Sequence, residues 1–449
     1  MNRRDALKLM GNGFGLLGLG ATAHASKQTH HAAKAKRVIF LFLNGGMSQV
    51  DTFDPKPALE KWHGQPMPGP KIKTDRASGE LMKSPFQFHP RGKSGLMVSE
   101  IFPKTGALID DICVIRSMYS DNGNHGPSLL MMNTGHGLPG RPSLGSWLTY
   151  GLGTENRNLP GFVALCPGFP VLGPQLWDSG FLPKIHQGTY LNNGEQEPDK
   201  IIRNIRNARL SPADQERQLT LLDKLNHSYL EDLGPQPELE SNIAAMEVAF
   251  RMQTEAPEIF DITKEPEAVR ARYGTHDFGR GCLMALRLAE RGVRMVQVYY
   301  GNFQPWDSHD DIRIHSKLAA TADGPIAALI EDLKSRGMFE DTLLIIGSEF
   351  GRTPMIQNSG LERVGNGRDH NVHGFTTLLA GGGVKGGIAY GATDEFGFKA
   401  AEKRCHVHDL HATVMHLMGF DHTRLTYRYS GRDFRLTDVH GNVVNEILA

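Results

Sequence analysis

Val38-Ile39-Phe40-Leu41-Phe42-Leu43 runs straight into Asn44-Gly45-Gly46. An unbroken apolar run of this length has no polar face, which marks a strand buried on both sides within a parallel sheet. The Asn-Gly-Gly that follows is a loop at the carboxyl end of the strand, the edge where open α/β sheets place their sites. Working outward, the same signal recurs in Ile112-Cys113-Val114-Ile115, Arg294-Met-Val-Gln-Val-Tyr-Tyr300, Thr342-Leu-Leu-Ile-Ile346 and Thr376-Thr-Leu-Leu-Ala380. Residues 278–291 and 318–336 read as helices, the second closed by Gly337 as a helix C-terminus should be. The apolar run 129–132 starts another. Strands alternating with helices predict an α/β fold: a doubly wound, mostly parallel central sheet with helices on both faces. Residues 64–95, rich in Pro, Gly and Lys, read as surface loop. Residues 155–235, with a helical stretch near 212–230, read as an inserted or lid region that shapes a cleft. No internal repeat is visible.

The 449 residues suffice for one large α/β domain or two smaller ones. Lys+Arg and Asp+Glu are both 49, so bulk charge gives no reason to expect nucleic acid or an anionic membrane as partner. At the N-terminus, Asn2-Arg3-Arg4-Asp5-Ala6-Leu7-Lys8 precedes a weakly apolar, Gly-rich run over residues 9–21, and Ala23-His24-Ala25 supplies a small-x-small cleavage signal. The paired arginines resemble a twin-arginine export signal, with Ala6 where an aromatic residue is often found. Residues 1–25 are thus expected to be an export signal, 26–36 a polar linker and 37–449 the folded domain, periplasmic or secreted and without a membrane span after processing. Cys113, Cys166, Cys282 and Cys405 form no CxxC pair, which argues against a zinc–thiolate site. An oxidising compartment permits disulfides among them in three pairings that the sequence leaves open.

The 20 histidines gather in a few Gly-rich stretches beside the predicted strands. Asn44 ends the first strand, with Asp51 and Asp54 shortly after. The strand through Tyr300 leads to Trp306-Asp307-Ser308-His309. The next ends in Ser348-Glu349-Phe350-Gly351-Arg352, and Arg368-Asp369-His370-Asn371-Val372-His373 precedes the last. Imidazole and carboxylate donors of this kind, if brought together, make the ligand set of a divalent metal such as zinc, calcium or manganese. Any one of them alone is more often a turn or capping residue. Asp51 and Asp54, just ahead of Pro55, can be explained as turn residues, and Glu349 with Arg352 as an ion pair. Asp311 and His315, at helical i, i+4 spacing, compete with Asp307 and His309. The latter pair is preferred because it lies nearer the strand end, beside a Trp that can wall a pocket.

The stretch His125-Gly-Pro-Ser-Leu-Leu-Met-Met-Asn-Thr-Gly135 resembles the nucleophile motif of sulfatases. Pro127, Ser128, Thr134 and Gly135 keep the spacing, but His125 stands in the Cys/Ser slot and Leu129 in the Arg slot. The order of these motifs, with Ser-Glu-Phe-Gly-Arg-Thr-Pro from Ser348, Gly-Gly-Gly-Val-Lys-Gly-Gly from Gly381, and Asp409-Leu-His-Ala-Thr413 with Leu417-Met-Gly419, is similar to the domain-of-unknown-function family numbered 1501. That family is similar to the alkaline phosphatase/sulfatase superfamily, and the resemblance spans roughly residues 37–440. It implies metal ligation by Asn44 where the superfamily has Asp, by Asp307 and His309, by Glu349 in an altered pair whose His is Phe350, and by His370 or His373. It makes a formylglycine sulfatase an unsuitable reading.

The function expected is that of an exported, metal-dependent hydrolase of sulfate or phosphate esters, acting on a small-molecule or saccharide ester without the usual Cys/Ser nucleophile. In it the metal polarises the ester. His125 ligates the metal, attacks, or acts as general base, ligation being preferred. Arg352 grips a non-bridging oxygen of the anion. The alternative is a degenerate relative that binds an anionic ligand without turnover. A purely structural cell-surface role ranks below both. Substrate, metal identity and oligomeric state are not legible.

Overall fold

The structure is a computed structural model that describes residues 29–69, 74–202, 209–234, 236–359 and 362–449. The expected export signal lies outside the described residues. Where the expected linker enters them, its backbone is docked: the N–H groups of Lys34 and Ala35 donate to the Leu417 carbonyl at 2.8 and 2.9 Å.

The apolar run becomes β1 (Arg37–Phe42), buried along both faces. Beside it stand β2 (Ile112–Tyr119), β3 (Phe162–Leu165), β4 (Thr189–Leu191), β5 (Met295–Tyr299) and β6 (Thr342–Gly347). A ribbon of β7 (Gly351–Ser359) and β8 (Glu362–Asn371) follows, then β9 (Phe375–Ala380), β10 (Ile388–Tyr390) and β11 (Cys405–His406). Among the described residues the central sheet has nine strands in the order β10-β2-β9-β6-β1-β5-β3-β4, with β11 also paired to β2. The pairs β6–β1, β1–β5, β5–β3 and β3–β4 are parallel, whereas β9 runs antiparallel to both neighbours. The sheet is therefore mostly parallel, as expected, with one reversed strand in its interior.

Alternation along β1 divides the core in two. Ile39, Leu41 and Leu43 join Val296, Val298, Leu344 and Ile346 under the helices Asp277–Glu290 and Ile314–Ser335. Val38, Phe40 and Phe42 join Leu343 and Ile345 under His125–Thr134, Leu144–Leu152 and Val407–Leu417. Helices thus cover both faces, the doubly wound arrangement that a parallel sheet requires.

Three local expectations change. Residues 64–95 are not all loop: Ser78–Leu81 adds a third strand to the β7–β8 ribbon, and Phe88–Arg91 pairs with Leu96–Ser99. The stretch 155–235 contributes β3 and β4 to the central sheet itself, as well as the helix Pro212–Leu233. The helix behind the His125 motif begins at His125, not at Leu129, because Asn124 is already extended and serves as its N-cap. All four cysteines are buried free thiols. No helix among the described residues is long and apolar enough to cross a membrane.

The carboxyl edge of the sheet is drawn tight by one glycine. Gly45 has φ of +119°, and a Cβ there would stand 2.6 Å from the Asp307 nitrogen and 2.7 Å from that of Trp306. The loop after β1 can therefore touch the turn that carries Asp307 only if residue 45 lacks a side chain.

Candidate metal centre

Three loops and one ribbon meet at this edge. His125 opens its helix (α1, His125–Thr134), Asp307 and His309 lie on the loop after β5, and His370 lies on β8 opposite Arg352 of β7. One ligand-type atom from each of His125, Asp307, His309 and His370 lies within 4.8 Å of all the others. These four residues come from three points far apart in the chain, so only the fold assembles them.

Each imidazole is held by its outer nitrogen. His125 Nδ1 is 2.7 Å from Glu349 Oε1 and His370 Nδ1 is 2.8 Å from the Gly123 carbonyl oxygen, while His309 Nδ1 bonds Gln357 Oε1. A carboxylate, a carbonyl and an amide oxygen can only accept, so each ring carries a proton on Nδ1, and in its neutral form the lone pair is on Nε2. All three Nε2 atoms then face Asp307. Those of His309 and His370 lie 2.9 and 3.3 Å from its Oδ1, and that of His125 lies 3.4 Å from its Oδ2. The Nε2 atoms of His125 and His309 are buried and make no hydrogen bond. Buried polar atoms left without a partner call for an explanation, and lone pairs converging on a carboxylate are what a cation requires. Histidine ligands fixed through their second nitrogen are the usual arrangement of a metal site.

The residues present therefore fit a single divalent ion with three imidazole nitrogens and one carboxylate oxygen. That set suits zinc and the other imidazole-binding transition metals better than calcium, which takes oxygen ligands. Phe350, fully buried, packs against the His125 and His370 rings with centroids 4.8 and 4.6 Å away and gives the cluster an apolar floor.

The charges follow the geometry. Burial raises the Asp307 pKa, but the His125, His309 and His370 rings, when they carry a proton on Nε2, and the Arg352 charge outweigh it and hold the carboxyl far below the usual range. Burial likewise opposes ionisation of Glu349, and its bond and attraction to His125 with the Gly45 N–H bring the net shift down. For His125 burial pulls downward while Asp307 and Glu349 pull upward, and the net is upward. Both carboxylates are thus anionic at neutral pH.

Several residues expected at the centre have other partners. Asn44 has other partners: its amide nitrogen donates to the Gly301 and Phe303 carbonyls and its oxygen accepts from Gly301 N–H at 3.4 Å, so it clasps the loop after β5. Glu349 stands outside the cluster of four. Its oxygens take the Gly45 N–H at 3.0 and 3.1 Å and His125 Nδ1–H, with the Ser348 hydroxyl 2.8 Å away, which makes it the group that orients His125. His373 is exposed, outside the cluster, with its ring against Phe398. Arg352, expected to bind the substrate anion, is 0% exposed. Its Nε donates to Gly46 O at 2.9 Å, Nη1 to Arg368 O at 3.2 Å, and Nη2 to Gly45 O and, at 2.6 Å, to Asp307 Oδ1. It braces the ligand loop from behind.

Removing one partner of such a buried pair leaves the other charge stranded. Arg352→Met is expected to lower stability by about 3–5 kcal/mol, read from the guanidinium unfolding midpoint.

The competing residues have plain structural work. His315 is fully buried, accepts from Ser48 N–H at 3.1 Å and lies 3.1 Å from the Ser308 hydroxyl, and burial pushes its pKa down to about 3. Asp311 pairs with Arg313 at the surface. Asp51 forms a wholly buried ion pair with Arg368, and Asp54 pairs with Lys56. Ser128, beside the nucleophile slot, is buried with its hydroxyl donating to the Asn122 carbonyl. Sequence reasoning missed Gln357 and the Gly123 carbonyl. No signal could have shown them, since one is an ordinary polar residue in a strand and the other is backbone.

A family model described as "Protein of unknown function (DUF1501)" matches residues 35–448. No curated protein matches the chain. Among solved structures the chain is similar to a sulfatase from Pseudoalteromonas sp., at 13% identity and TM-score 0.31, covering 86% of this chain and 68% of that one. It is similar to the lipoteichoic acid synthase of Listeria monocytogenes at 9% and 0.37, covering 93% and 80%. The phosphonate monoester hydrolase of Agrobacterium radiobacter gives 12% and 0.36, covering 86% and 74%. These likenesses are faint, so the chemistry has to come from the site itself.

Proposed function

The chain belongs to the DUF1501 family, and from that premise we propose that it is an exported, metal-dependent hydrolase of sulfate or phosphate esters. The observation that carries this reading is the convergence of three Nε2 atoms on one ionised carboxylate, each ring pinned from outside. His125, Asp307, His309 and His370 hold one divalent ion, zinc being favoured over calcium and manganese by the nitrogen-rich set. When bound, the metal supplies Lewis acidity toward a non-bridging ester oxygen.

The protein's own groups set the stage. Glu349 keeps His125 in the tautomer that points Nε2 inward. Gln357 and Gly123 do the same for His309 and His370. Arg352 fixes the Asp307 carboxylate and offsets its charge. His125 stands at the first turn of α1, where the helix dipole favours an approaching anion. Asp307 is the most open of the four, with its side chain 22% exposed against 8–11% for the histidines, so substrate reaches the centre from its side. The N-terminal sequence supports export by the twin-arginine route, and a small-molecule or saccharide ester is the substrate class that suits an exported enzyme of this kind.

The test is a panel of aryl sulfate, phosphate monoester, phosphate diester and phosphonate ester substrates, run on zinc-, manganese- and calcium-loaded protein. Turnover that a chelator abolishes and zinc restores is the expected result. Stoichiometric metal with no turnover on any ester would replace the hydrolase with the binding reading, which the buried, occupied Ser128 hydroxyl favours.

A further inference from the structure

The loops that follow β3 and β5 leave the same sheet edge as the metal centre and carry a feature that core packing does not explain. Phe303 is 67% exposed and has φ of +54°, where a residue with a Cβ is strained and Gly is at ease. Its backbone is firmly held: the N–H donates to Phe169 O at 2.9 Å, and the carbonyl accepts from the buried Asn44 amide. Asn302 ties the loops again, its Oδ1 accepting from Phe169 N–H at 3.0 Å. A large aromatic ring is therefore fixed in solvent at a position where glycine would fit better. On the loop after β3, Leu172, packed against the core, also has a left-handed backbone, φ +70°, and its side chain lies 3.8 Å from where a Cβ on Gly126, the neighbour of His125, would stand. Phe169, whose carbonyl takes the Phe303 N–H and whose ring stacks on Tyr190, is 39% exposed. Backbone strain that gains no core packing collects at ligand sites.

We infer that Phe303, with Phe169 and Leu172 beside it, is the wall that receives the alcohol portion of the ester, a ring with an apolar face laid against Phe303 while the anionic group meets the metal centre. The inference rests on the hydrolase reading of that centre and extends it to substrate class: esters of ring-bearing alcohols, aryl or pyranosyl, in preference to simple alkyl esters. Asn44 then acts as a positioning residue, holding the loop that presents the ring.

Binding of non-hydrolysable phosphonates to zinc-loaded protein tests this without requiring turnover. Calorimetry would compare phenylphosphonate, a pyranosylmethyl phosphonate and methylphosphonate on wild type and Phe303→Gly. Wild type is expected to bind at least one ring-bearing ligand about tenfold more tightly than methylphosphonate, the order of effect that one stacking partner produces. Which ring is preferred separates aryl from sugar. Phe303→Gly is expected to abolish that preference while methylphosphonate affinity, zinc content and melting temperature hold or, for the last, rise, since glycine relieves the strained φ. Equal affinity for all three ligands in wild type, or an unchanged preference in the variant, would overturn the inference alone. Failure of the zinc-loaded wild type to bind any phosphonate would overturn the reading of the centre and this inference with it.

Discussion

Asp307→Asn loses the metal. The substitution keeps the shape of the side chain and an oxygen that accepts from Arg352, so the fold is expected to persist by circular dichroism. What disappears is the one anionic ligand among four donors, toward which all three Nε2 atoms are turned. Metal content by elemental mass spectrometry is expected to fall from one ion per chain to near zero. The loss in affinity should exceed the roughly 10–100-fold that removal of an outer partner causes, and ester hydrolysis should go with it. An Asp307→Asn protein that retains stoichiometric zinc would remove this residue from the ligand set.

Glu349→Gln separates an orienting role from a ligating one. The wild-type carboxylate accepts from Gly45 N–H and from His125 Nδ1–H. With its oxygen at the Oε1 place the amide still accepts from both and turns its NH2 to the Ser348 hydroxyl, but the negative charge that fixes His125 is gone. The flipped amide would set NH2 against His125 Nδ1–H and leave a buried donor unpaired, at about 1–3 kcal/mol. Zinc affinity, measured by competition with a chelator, is expected to drop by about 10–100-fold and not to vanish. Loss as complete as in Asp307→Asn would make Glu349 a ligand after all.

The contrast between these two carboxylates shows where the sequence stops being informative. The apolar run 38–43 was enough to place a buried central strand, because a strand with no polar face has only one home. The direction of β9 was not legible, since apolar periodicity is the same whichever way a strand runs. The strand Phe162–Leu165 escaped notice because four residues between Pro160-Gly161 and Cys166-Pro167 look like loop. At the site, the residue types at the strand ends gave Asp307, His309 and His370 their place in the cluster, and the resemblance of the motif gave His125 its place. Sequence could not tell which donors already had partners. Asn44, Glu349 and Arg352 all sit at the right edge with suitable chemistry, yet each has its polar atoms engaged by the protein. His373, three residues beyond His370, is turned out to solvent by the end of β8.

The most direct test of the metal centre is an anomalous difference map, recorded at the zinc edge from crystals of protein grown with zinc. A single strong peak among the Nε2 atoms of His125, His309 and His370 and a carboxylate oxygen of Asp307 is the predicted result, with metal–nitrogen distances of about 2.0–2.1 Å. A peak bound instead by Glu349 or His373, or no peak at this edge of the sheet, would contradict it.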